Sequence, residues 1–174
     1  HDSIAVGEDG ITHQPIEQLA GLRAIPNTIV FRPCDTRETV SAFATYLNNT
    51  NKPTILVLSR QDIKCQNSDV ELAMKGGYIL LKEPLERLDV TLVASGSEVA
   101  TCTELRDMLF KKGYSARVVS MPCVEIFKEQ TKKYQKQVLS PDAVKVFVEL
   151  SNDDVYNQFL GENDEVLNLS TFGE

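Results

Sequence analysis

The sequence predicts an α/β protein made of two doubly wound, mostly parallel α/β/α units, the first truncated to a partial sheet. Three observations carry that expectation. Short β-branched and aromatic runs alternate with amphipathic helical segments at intervals of roughly 20–30 residues, the pattern of parallel strands joined by right-handed crossovers. The run Thr54-Ile55-Leu56-Val57-Leu58 is almost wholly apolar, as expected of a strand buried on both faces of a parallel sheet. A polar stretch holding Gly76-Gly77 interrupts the alternation. It divides the chain into a block over 1–63, a linker over 64–88 and a block over 89–174. The first block has two clear strands, too few for a self-sufficient sheet.

The elements follow in order. His1 to Gln14 is acidic and punctuated by Gly7 and Gly10, so it reads as a loop. Pro15 suits a first helical turn, Ile16, Leu19, Ala20 and Leu22 recur at helical spacing, and Pro26-Asn27 stops the helix. Thr28 to Phe31 reads as a strand. Asp35 or Thr36 then caps a helix whose apolar residues Val40, Phe43, Ala44 and Leu47 share one face. Within the linker, Tyr78 to Leu81 is one extended segment. Beyond it, strands are expected at Val90–Ala94, Ala116–Ser120, Val144–Glu149 and Val166–Leu169. Helices are expected over 98–112, with Val99, Cys102, Leu105 and Leu109 inward, and over 124–137 and 153–160.

The chain has 174 residues, 42% of them hydrophobic and 25% charged, a globular composition. Its net charge of −7 argues against nucleic acid and against an acidic membrane surface, both of which require a basic footprint. No apolar run approaches the roughly 20 residues that span a bilayer. The polar opening His1-Asp2-Ser3 shows no signal peptide. Cys34, Cys65, Cys102 and Cys123 are scattered. Zinc or dithiol redox sites need close pairs, so the expectation is free thiols in a reducing, cytoplasmic compartment.

Four features could carry chemistry. In open α/β sheets, ligands gather beyond the carboxyl ends of the strands. Arg32 and Arg60 follow two strands there; each could grip a phosphate or pair with a nearby carboxylate. The opening loop places His1 and His13 among Asp2, Glu8 and Asp9, which suits proton transfer near neutral pH or a solvated turn. Its wide histidine spacing does not fit a dedicated metal site. Ser95-Gly96-Ser97-Glu98 opens a helix and is read as a capping box, with phosphate binding the less economical account. Lys128, Lys132, Lys133 and Lys136, alternating with Glu125 and Glu129, read as a solvated helix face.

The run from His1 to Pro15, His-Asp-Ser-Ile-Ala-Val-Gly-Glu-Asp-Gly-Ile-Thr-His-Gln-Pro, closely resembles the transketolase family. Leu22 to Asn27, Phe31 to Asp35 and Leu58 to Gln61 support the resemblance in order. Ala94 to Val99 and Arg117 to Pro122 look like that family's C-terminal domain. The resemblance implies the end of a pyrimidine-binding domain followed by an incomplete C-terminal domain. It implies a thiamine-diphosphate enzyme, with a divalent metal (Mg or Ca), that moves a two-carbon ketol unit between ketose and aldose phosphates in the pentose phosphate pathway, as a homodimer. By resemblance, His1 and Arg60 hold the sugar phosphate, Asp9 reads the hydroxyl beside the acceptor aldehyde, and His13 is the catalytic histidine at the reacting carbon.

Some positions depart from the family pattern. Ala5 stands for the usual Gly, Ile11 for Pro, and Asp62-Ile63 for Asn-Leu; none removes a proposed contact. The family's metal-holding Gly-Asp-Gly stretch and its cofactor-activating glutamate are expected upstream of His1. This chain alone is therefore expected to be inactive, with no confident cofactor-binding or metal-binding residue of its own. Dihydroxyacetone synthase and deoxyxylulose-phosphate synthase share the architecture. Gln14 speaks against the latter, which tends to place a second histidine there. A non-catalytic α/β binding module is the alternative from another class, and a purely structural module has no need of His1, Asp9, His13 and Arg60 together.

Overall fold

The computed structural model describes His1 and residues 9–172. Two sheets, one parallel and one mostly parallel, organise the described residues. In the first block, a single 3-10 turn over Ile11–His13 leads to α1 (Gln18–Arg23), β1 (Ile29–Phe31), α2 (Thr36–Asn48) and β2 (Thr54–Leu56). β1 and β2 pair in parallel, Phe31 opposite Leu56. The expectation that the Thr54–Leu58 run is buried on both faces fails. β2 is half-buried and Leu58 is exposed, because among the described residues β1 is its only neighbour strand.

Asp35 caps α2 as its sequence promises, accepting a hydrogen bond from the Glu38 N–H at 3.0 Å. The apolar face of that helix is a correction. Val40, Phe43 and Leu47 are 53%, 52% and 71% exposed, whereas Glu38, Ser41, Ala42 and Thr45 are buried. Ala42 is small enough to lie on Ile29 and Phe31, and Ser41 donates to the Val70 carbonyl at 2.8 Å. Close packing and polar satisfaction, rather than periodicity, chose the inner face.

Residues 64–88 carry α3 (Val70–Ala73) and β3 (Tyr78–Leu81). β3 does not stand alone: it runs antiparallel along β5 (Ala116–Ser120). With β4 (Val90–Ala94), β6 (Val144–Glu149) and β7 (Glu165–Asn168) it completes a five-stranded sheet ordered β3-β5-β4-β6-β7. α4 (Glu98–Lys111) returns from β4 to β5, with Val99, Cys102, Leu105 and Leu109 inward as expected.

The single helix expected over 124–137 is two, α5 (Val124–Glu129) and α6 (Lys132–Leu139). Gln130 is extended, and Thr131 caps α6 by accepting from the Tyr134 N–H. The break puts Glu129 and Lys133 on separate helices, and Glu129 meets Lys52 at 2.6 Å. The helix expected over 153–160 is reduced to a 3-10 turn, Asn157–Phe159. Asp153 turns its carboxylate to Arg23 and to the Val155 N–H, which competes with helix formation. On this side Phe127, Phe147 and Tyr156 are fully buried with Val93 and Val119, and Phe159 packs against them. Among the described residues no helix is long and apolar enough to cross a membrane.

Candidate functional site

β1 and β2 end side by side, and the Val57 N–H donates to the Phe31 carbonyl at 2.9 Å. The two chains then diverge, β1 into Arg32-Pro33-Cys34-Asp35 and β2 into Leu58-Ser59-Arg60-Gln61. Between them opens a cleft of about 360 Å³ walled by Pro33, Asp35, Thr36, Thr39, Ser59 and Gln61. A crevice at strand carboxyl ends is where this architecture offers ligands backbone and side-chain donors.

Arg60 stands exposed just past β2 and forms an ion pair with Asp9, which lies in the loop ahead of α1. Two stretches remote in sequence thereby meet. Thr12 ties the loop internally: its hydroxyl donates to the Asp9 carbonyl at 3.4 Å and lies 2.9 Å from His13 Nδ1. A hydroxyl has one proton. Which partner donates in the Thr12–His13 contact is set by the imidazole tautomer. His13 is exposed at the end of the 3-10 turn. His1 is exposed too. Asp2 and Glu8, read as part of the same loop, and the departure at Ala5 lie outside the described residues. Asp9, His13 and Arg60 are thus joined through contacts, and among the described residues His1 makes no contact with them. Among the described residues no three His, Cys, Asp or Glu side chains gather to hold a metal ion.

Arg32 behaves differently from Arg60. It is 1% exposed, and its Nη1 donates to the Ser95 carbonyl at 2.9 Å, to Ser95 Oγ at 3.2 Å, to Glu149 at 2.8 Å, and to Glu98. Of the two readings open from sequence, pairing with carboxylates is the one observed. Burial alone would lower the guanidinium's pKa, but Glu149 and Glu98 reverse this and hold it charged. Burial pushes Glu149 above the usual carboxylate range against the pull of Arg32, and Glu98 adds to the rise. The capping box does not form. Ser97 is the residue before α4 and makes no side-chain cap, because Ser95 and Glu98 are occupied with Arg32.

Another buried carboxylate, Glu38, accepts from the Cys34 N–H at 2.8 Å, Tyr78 at 2.9 Å and Ser120 at 2.6 Å. Burial raises its pKa, and these donors oppose the rise. Sequence reading passed over Glu38 and Glu149. The available signal was an acidic residue closing the largely apolar strand Val144–Glu149, since an unpaired charge there would be costly.

Comparison with known proteins covers both halves of the chain. Residues 1–66 match the family described as "Transketolase, pyrimidine binding domain", and residues 76–174 match "Transketolase-like TK C-terminal domain". The chain belongs to the transketolase family. It is 44% identical to the transketolase of Cereibacter sphaeroides over 99% of its own length and 26% of the relative's. It is 42% identical to the probable transketolase of Streptococcus pneumoniae, with the same shares covered. Among solved structures, the Campylobacter jejuni transketolase superposes with a TM-score of 0.88 at 43% identity, over 100% of this chain and 26% of that one. A Pichia stipitis transketolase mutant in complex with xylulose-5-phosphate superposes at 0.91 with 38% identity, over 99% and 25%. The chain thus spans about a quarter of the length of the transketolases it matches. The doubly wound α/β expectation agrees with these superpositions.

Proposed function

We propose that the chain forms the substrate-facing portion of a thiamine-diphosphate-dependent transketolase that transfers a two-carbon ketol unit between ketose and aldose phosphates. The observation that carries the reading is the Asp9–Arg60 ion pair beside the exposed His13. It gathers a cation, a carboxylate and an imidazole at strand carboxyl ends, in a family whose solved members include a xylulose-5-phosphate complex. In the proposed assignment, Arg60 and His1 bind the sugar phosphate, a dianion suited to a planar guanidinium fork. Binding draws Arg60 from Asp9 toward phosphate and frees the Asp9 carboxylate to accept from the acceptor's hydroxyl. His13 holds or returns a proton at the substrate oxygen through Nε2.

When bound, thiamine diphosphate supplies the carbanion chemistry. The cofactor and its divalent metal, Mg or Ca, are proposed to be held mainly by parts of the longer protein outside this chain. A homodimer in the cytoplasm is the proposed setting. The exposed Val40, Phe43 and Leu47 stripe supports a further protein surface lying against α2.

The test is kinetic. In the longer cofactor-loaded protein, Arg60→Ala is expected to raise KM for sugar phosphates about tenfold or more with less effect on kcat. His13→Ala is expected to lower kcat about 10²-fold or more. Unchanged turnover in His13→Ala would favour the non-catalytic reading. A donor panel in which free dihydroxyacetone-forming chemistry outruns ketol transfer to aldose phosphates would favour the dihydroxyacetone synthase relative. The purified 174-residue chain should show no ketol transfer, and measurable turnover would overturn that part.

A further inference from the structure

We infer that Arg32 is a positioning residue: it fills, as an internal ligand, the crevice where a sheet of this topology would take a bound molecule, and so makes the second unit a socket for the first. The strand order locates that crevice. From β4 the chain passes through α4 to β5 on one side; from β5 it passes through α5 and α6 to β6 on the other side of β4. Connections reverse at β4, so the gap at the carboxyl ends of β4 and β6 is the topological switch point.

The residues lining this gap are the ones that grip Arg32. Ser95 follows β4, Glu98 opens α4 and Glu149 closes β6, and all three accept from the guanidinium. Gly96 has φ +55°, and a Cβ built there would stand 2.8 Å from Arg32 Cζ, so only glycine lets the guanidinium lie against the turn. The backbone reinforces the seat. The Gly96 N–H donates to the Arg32 carbonyl at 3.1 Å, and the Arg32 N–H donates to the Pro122 carbonyl at 2.7 Å. Farther along the same edge, Glu38 sits on Tyr78 and Ser120. The edge of the second sheet that α/β proteins leave for ligands is here occupied by side chains of the first unit.

The socket also shares a cleft with the segment that follows Arg60. Gln61, Asp62, Ile63 and Lys64, directly after Arg60, share a cleft of about 270 Å³ with Ser97 and Glu98. The start of α4 that holds Arg32 therefore faces the loop after Arg60 across that cleft. Shifting the socket moves that loop. The kinetic arm of the test rests on the function proposed above; the binding arm does not.

The binding arm uses the 174-residue chain with Arg32→Gly. Its melting temperature should fall by about 10 °C or more, since two buried carboxylates lose their counter-charge. Millimolar methylguanidinium should restore part of that loss, and methylammonium should not, because the seat against Gly96 suits a flat, weakly hydrated guanidinium and not a compact, strongly hydrated ammonium. If the variant does not fold unaided, the same comparison is read as the yield of folded protein on refolding with each ion. Absence of guanidinium-specific recovery overturns the socket.

The kinetic arm compares Arg32→Lys with Arg60→Ala in the longer cofactor-loaded protein. Arg32→Lys is expected to raise the sugar-phosphate KM about tenfold while kcat stays within about twofold. A raised KM in Arg60→Ala with none in Arg32→Lys overturns the positioning role. If neither moves KM, the proposed substrate site fails, and guanidinium recovery alone then decides the socket.

Discussion

The two halves of the chain satisfy their hydrophobic surface in different ways. The second unit builds two clusters around its five-stranded sheet, one centred on Phe127, Phe147 and Tyr156 and the other on Leu92, Val99 and Val118. The first unit has two short strands and two small clusters, around Ile29 and Phe31 and around Leu19, Val30 and Val57. Even these are shared: Cys123 from the second unit packs on Ile29 and Phe31, while Cys34 from the first packs with Leu92 and Val99. The contrast teaches that a partial sheet can be ordered by what it docks on. Its polar anchors cross the same boundary, with Arg32 reaching Glu98 and Glu149, Glu38 reaching Tyr78 and Ser120, and Arg23 reaching Asp153.

The largest expected effect that sharpens this contrast is Phe127→Ala. It empties the centre of the aromatic cluster, where Phe127 lies 5.8 Å edge-on from Phe159, and should cost about 3–5 kcal/mol. Chemical denaturation should show that loss, with a smaller one for Val30→Ala in the first unit. Equal losses at the two sites would mean the halves are equally self-supporting.

An intermediate effect is expected at Asp35, which ties the connecting segment to the first unit. Its carboxylate accepts from the N–H groups of Glu38, Gln66 and Ser68 and from the Ser68 hydroxyl. Burial would raise its pKa, but these bonds outweigh burial and hold it below the usual carboxylate value. A carboxylate lowered on folding contributes stability that is present above its unfolded pKa and lost as pH falls through the folded one. Asp35→Asn should thus cost about 2 kcal/mol at neutral pH. The gap to the parent protein should close as pH is lowered below about 4. A gap independent of pH would show that shape, rather than charge, does the tying.

The smallest effect on stability should come from Phe43→Ser on the outer face of α2. Half-exposed in this chain, Phe43 should change unfolding free energy by no more than about 0.5 kcal/mol. Size-exclusion or light-scattering measurements should show less self-association, because a contiguous apolar patch is reduced. A large loss of stability would mean that the stripe is already packed within the chain.

Periodicity made most of the fold legible. β1, β4, β5, β6 and the inward face of α4 fall where apolar runs and helical spacing put them, since those residues meet a sheet on which burial is the dominant force. It failed where side chains were claimed from a distance. Ser95 and Glu98 have the spacing of a capping box, yet a buried guanidinium offers them a stronger charge-assisted bond. Asp153 is drawn to Arg23, and the helix expected after it shrinks to a single turn. The break at Gln130-Thr131 was readable in principle, because Thr is a preferred cap. In the site, the loop from Asp9 to His13 and Arg60 stood out by residue type and by resemblance, while Glu38 and Glu149 gave no local signal strong enough to mark them.

The sequence by itself determined the α/β class, the positions of the main strands and the residues gathered at the candidate site, because propensity, periodicity and a dense local motif are all encoded within a few residues of each other. Only the tertiary structure decided which face of α2 turns inward, that β3 closes the second sheet, and that Arg32 pairs with carboxylates whereas Arg60 stays at the surface. Those outcomes depend on partners many residues away, whose desolvation and hydrogen-bond requirements can be met in one three-dimensional arrangement and cannot be read from local pattern.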